Sequence, residues 1–88
     1  MPTQSERVTE VWKNVVTELS LVDGTKYIMQ VTGGADVLRM SSALAPDGSI
    51  IPFHMMRNEV WPFTASATVG LWVKKYNENS AVSVEEAP

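Results

Sequence analysis

The stretch Val69-Gly70-Leu71-Trp72-Val73-Lys74-Lys75, Tyr76-Asn77-Glu78-Asn79-Ser80, Ala81-Val82-Ser83-Val84-Glu85 decides the class of the chain. Its outer runs alternate apolar with polar residues, and a polar pentapeptide separates them. Alternation places successive side chains on opposite faces of a strand. Two such runs around a short polar connector read as a hairpin. Trp72 stands between Leu71 and Val73, so the first run is apolar on both faces. Such a strand needs a second covering surface. In a chain this short, another subunit is the expected source.

Working back from this hairpin, turn signals recur. Asp23-Gly24 suits a type I′ turn because both residues tolerate positive φ. It predicts a hairpin between strands at 11–21 and 25–31. Residues 8–16 carry a competing helical spacing (Val8, Val11, Trp12, Val15, Val16, Leu19), with Thr3 and Glu6 placed as a capping box. Thr32-Gly33-Gly34 and Pro46-Asp47-Gly48 mark further turns. Between them, Val37 and Arg39 share one face of a strand, and Leu38 and Met40 the other. Ile50-Ile51-Pro52-Phe53 and Val60-Trp61-Pro62-Phe63 each carry a proline, which belongs on a sheet edge or at a bulge. The expected fold is all-β: a small antiparallel sandwich or barrel of about seven short strands. Residues 1–10 are expected as a flexible N-terminal arm and 11–88 as a single β-domain.

An 88-residue chain is one domain at most and is marginal without help. Cysteine is absent and histidine occurs once, which leaves little for a disulfide or a metal centre. Oligomerisation is the remaining aid, and no cofactor is expected. Net charge is −3, and Lys74-Lys75 is the one adjacent basic pair. A phosphate-binding footprint is missing, so nucleic acid is not an expected partner. The chain has no apolar run able to span a bilayer, and the polar start Met1 to Arg7 does not read as a secretory signal.

Chemistry is sparse. His54 would need a carboxylate or nucleophile held beside it, and no nucleophile motif surrounds Ser41, Ser42 or Ser49. Asp23 and Asp47 precede glycines and are explained by turns. No catalytic, cofactor or metal residue is assigned, and the protein is not expected to be an enzyme. Trp12, Trp61 and Trp72, with Tyr27, Tyr76, Phe53 and Phe63, are divided between core, protein contact and a sugar-stacking platform. Met55-Met56-Arg57 suits an adaptable contact surface. The expected interface residues are Trp12, Met55, Met56, Arg57, Trp61 and Trp72.

The string Leu21-Val22-Asp23-Gly24-Thr25-Lys26-Tyr27-Ile28-Met29-Gln30-Val31 is similar to the opening of a group of short bacteriophage structural proteins. The string Gly70-Leu71-Trp72-Val73-Lys74, with Ala81-Val82-Ser83-Val84-Glu85-Glu86-Ala87 beyond a polar turn, resembles their ending. Asn77-Glu78-Asn79 departs from that group's glycine-rich last turn, and Val60-Trp61-Pro62-Phe63 from its plainer strand. The resemblance implies a non-enzymatic virion component, made in a bacterial host's cytoplasm. It would decorate a capsid or sit at the head–tail region as a homo-oligomer, with the major capsid or another virion protein as neighbour. Carbohydrate binding in host adhesion is the alternative, and a small enzyme around His54 the second alternative.

Overall fold

The computed structural model describes residues 3–46 and 52–88. In chain order its elements are β1 (Gln4–Val8), β2 (Lys13–Asn14), α1 (Val15–Glu18), β3 (Lys26–Val31), β4 (Val37–Ser42), β5 (Phe53–Met55), β6 (Val60–Thr64), β7 (Gly70–Lys75) and β8 (Ser80–Glu86). They form two four-stranded antiparallel sheets. Sheet I has the order β1-β8-β3-β6 and sheet II the order β2-β7-β4-β5. The sheets pack face to face as a small β-sandwich, as the alternation predicts, with eight strands in place of about seven.

Alternation fills the interior from both sides. Tyr27, Met29 and Val31 of β3 and Val82 and Val84 of β8 point in from sheet I. Val37 of β4, Met55 of β5 and Leu71 and Val73 of β7 point in from sheet II. Met29, Met55, Val8, Val15, Val31, Val37, Val73, Val82 and Val84 are fully enclosed. Valine dominates because its branched side chain suits a pleated surface. Each such burial contributes about 1.5–3 kcal/mol.

The connectivity differs from the local turn signals. β7 and β8 do not pair with each other. β7 lies between β2 and β4, and β8 between β1 and β3, in opposite sheets. Residues 76–79 therefore form an arch over the end of the sandwich. Tyr76 N donates to Asp36 O (3.3 Å), and the Ser80 hydroxyl donates to Ala35 O (2.7 Å). On the far side, Thr32 N and Gly33 N both donate to Ala81 O. A Cβ at Gly33 would collide with the backbone of Ser80 and Ala81, so glycine is what lets these two segments meet.

The Asp23-Gly24 hairpin is likewise replaced. Gly24 has φ +81°, but its N–H donates to Ala65 O (2.8 Å), and Asp23 Oδ1 accepts from Ala67 N (2.8 Å). The turn is stapled to the β6–β7 connector, and β3 pairs with β6 and β8. Residues 11–21 are not a strand, nor do residues 8–16 form the alternative helix. They hold β2 and the single turn α1, whose Val16 N is capped by Asn14 Oδ1 at 3.1 Å. Gly70 makes room for that cap, since a Cβ there would strike the Asn14 side chain. Thr3 and Glu6 cap nothing: Thr3 reaches Glu85, and Glu6 pairs with Lys13.

The expected arm is also corrected. Residues 4–8 are β1, in register with β8 from Gln4↔Val84 to Val8↔Ser80, and Val8 is fully buried. The sandwich thus includes much of 1–10. The proline expectation fits the edges: β6 carries Pro62, β5 follows Pro52, and both are edge strands. Part of the Pro46-Asp47-Gly48 turn, with Ser49 and Ile50-Ile51, lies outside the described residues.

Candidate functional site

The two outer faces of the sandwich differ in chemistry. On sheet I, Ser5, Ser83 and Thr32 form a hydroxyl ladder (3.3 and 3.0 Å), with Gln30 beside it. On sheet II, register aligns Lys74, Leu38 and His54 in one row and Asn14, Trp72 and Met40 in the next. Trp12 extends the first row, its ring 5.8 Å from Lys74 Nζ. Trp72 is half-buried and donates from Nε1 to Ser42 O at 3.0 Å, so its polar atom is satisfied within the chain.

At one corner of this face the structure assembles a cluster around Asp36. Its Oδ2 lies 2.8 Å from His54 Nε2, and its Oδ1 accepts from Arg57 N at 2.9 Å. The backbone N–H of Arg57, followed by the His54 ring, holds the Asp36 carboxyl below its ordinary value of 3.8. Tyr76 stacks on the imidazole with centroids 4.2 Å apart and planes at 18°. Asp36, Met56, Arg57, Tyr76, Asn77 and Glu78 line an adjoining cleft of about 410 Å³.

His54 therefore has the carboxylate that the sequence left unassigned, supplied by the last residue of the β3–β4 connector through the β4–β5 pairing. Among the described residues no hydroxyl hydrogen-bonds to it, and no three His, Cys, Asp or Glu side chains converge as metal ligands. The arrangement orients a ring and fixes a turn. It has no activated nucleophile among the described residues.

The six expected interface residues divide three ways. Met55 is fully buried between the sheets, so it belongs to the core and is corrected as a surface residue. Trp12 and Trp72 lie on the outer face of sheet II. Met56 and Arg57 are exposed in the β5–β6 turn, and Trp61 packs against the core from β6. Asp36, Leu38, Lys74 and Tyr76 join this surface although the sequence did not single out that grouping. Strand register alone brings them together. Comparison with protein-family models, curated proteins and solved structures found no match.

Proposed function

We propose that the protein is a non-enzymatic structural component of a bacteriophage particle, docking as a homo-oligomer on the capsid or at the head–tail region. The resemblance of residues 19–87 to short phage structural proteins supplies the phage context. The observation that carries a docking role is the grouping of aromatic side chains on the outer face of sheet II. Sheet I turns out Ser5, Ser83, Thr32 and Gln30 among the charged Arg7, Lys26 and Glu85, with Ile28, Val60 and Pro62 toward its β6 edge. Sheet II turns out Trp12, Trp72, Leu38 and Tyr76 around a single lysine. Both sheets already bury their inner faces against each other, so a further aromatic grouping on an outer face marks a surface for a partner. The molecule measures 31 × 27 × 17 Å, so its broad face matches the roughly 800 Å² that a standard interface buries per partner.

Light scattering gives the decisive mass. The parent protein is expected at a multiple of 9.7 kDa. Trp12→Glu and Leu38→Lys, each placing a charge on that face, are expected to reduce it to one chain while the circular dichroism stays that of a β-sheet. A parent that remains a single chain at its highest soluble concentration would remove the homo-oligomer.

One observation favours the carbohydrate reading as second. The Tyr76–His54 stack borders a cleft that also carries Asp36, Arg57 and Asn77, an aromatic plane beside polar groups. Quenching of Tyr76 fluorescence by host glycans but not by glucose alone would favour that reading over docking.

A further inference from the structure

A sandwich of two open sheets has two seams, one along each pair of edges. At the first, between β1 and β2, Lys13 of sheet II reaches Glu6 of sheet I, with Nζ 3.6 Å from Oε1. At the second, between β5 and β6, the cation is Arg39, which points inward from β4 beside Val73 and Phe53. Its guanidinium carbon lies 3.5 Å from the centroid of Trp61, on sheet I, and 4.9 Å from that of Phe53. Among the described residues no carboxylate is bonded to it. The nearby Glu59 acts on it only through space, its Oε1 accepting from Met56 N at 3.1 Å. Arg39 Nε and Trp61 Nε1 are both buried, and neither has a hydrogen-bond partner among the described residues.

Two neighbouring buried donors without acceptors are uncommon in a folded protein. Here one belongs to a group that remains cationic under ordinary conditions. Burial lowers the Arg39 pKa, and the charge of Glu59 opposes that shift. The rim is apolar and open: Phe53 and Met56 are each 63 % exposed. A ligand that satisfies the donors must bring an anionic acceptor, and one that covers the rim must bring apolar groups.

We propose that the β5–β6 seam is a carboxylate-recognition site, where Arg39 and Trp61 receive an acidic side chain carried on an apolar segment of a protein partner. The two rings flank the guanidinium and shield its Nε from water, which strengthens a charge-assisted hydrogen bond. The partner engages through side chains and not by adding a strand. Val31 N bonds to Glu59 O and Ala65 N to Thr25 O, so the alternate positions Val60, Pro62 and Thr64 turn their backbone to the free edge. Pro62 has no N–H to offer there. The site is independent of the outer face of sheet II, because Arg39 points between the sheets and Leu38, Trp72 and Lys74 point away from it.

The test is a titration of the full-length protein with a blocked leucyl-glutamyl-leucine amide, following the Arg39 Nε–H and Trp61 indole N–H resonances. Both are expected to shift saturably. The glutaminyl analogue is expected to bind at least about tenfold more weakly. Arg39→Gln is expected to abolish the difference between the two peptides. Equal responses to both peptides, or no shift with either, would overturn the site, and this comparison needs no variant that must fold. A shift of the same resonances on concentrating the protein alone would assign the seam to contacts between copies and overturn the separate partner.

Discussion

Asp36 ties three segments at one corner: its own β3–β4 connector, β5 through His54, and the β5–β6 turn through Arg57 N. These bonds favour its ionised form, so its pKa in the folded chain lies below the ordinary 3.8 that the unfolded chain approximates. Between the two values the unfolded state binds more protons, and stability rises with pH. The contribution is complete above pH 3.8 and is lost as pH falls through the folded value. Asp36→Asn is therefore expected to flatten the acid limb of the stability profile below about pH 4. Denaturant midpoints measured at pH 3 and pH 6 on both proteins check this. An equally steep acid limb in the variant would show that the loss of stability arises elsewhere. The sequence displayed both residues, but eighteen positions separate them. Only the pairing of Leu38 with His54 brings them within hydrogen-bond reach.

At the scale of elements, strands were legible and partners were not. Alternation identified β3, β4, β6, β7 and β8 to within a residue or two, because it reports a half-buried extended chain. It carries no information on which neighbour supplies the ladder. Asp23-Gly24 and residues 76–80 both have hairpin chemistry, yet each connects one sheet to the other. Among the described strands, β4 and β5 are the sole pair both consecutive in sequence and hydrogen-bonded to each other. β1 was missed because Gln4-Ser5-Glu6-Arg7 is polar and buries little beyond Val8. Its value lies in closing the β8 edge and in the Glu6–Lys13 pair. Deleting residues 2–10 is expected to lower the thermal midpoint and promote association through the bared β8 edge. Circular dichroism melts with light scattering test this, and an unchanged midpoint would show β1 to be dispensable.

For the molecule as a whole, stability rests on a thin valine-rich layer in which Met29 and Met55 are the largest fully enclosed side chains. Small domains have little margin. Met29→Ala is expected to cost about 2–5 kcal/mol, from lost transfer energy and the cavity left behind. Against a total of about 5–15 kcal/mol, that is a large share. A urea midpoint that moved by less than the error of the parent curve would mean that the core collapses around the gap. The sequence by itself determined the all-β class, most strand positions and the edge placement of both proline-bearing runs. These follow from local rules of period two, proline's missing donor and the burial of branched side chains. Only the tertiary structure decided that β7 and β8 lie in opposite sheets, that Asp36 meets His54, and that Arg39 stacks on Trp61. Those outcomes depend on non-local strand pairing, and a pattern of alternation is the same whichever strand lies alongside.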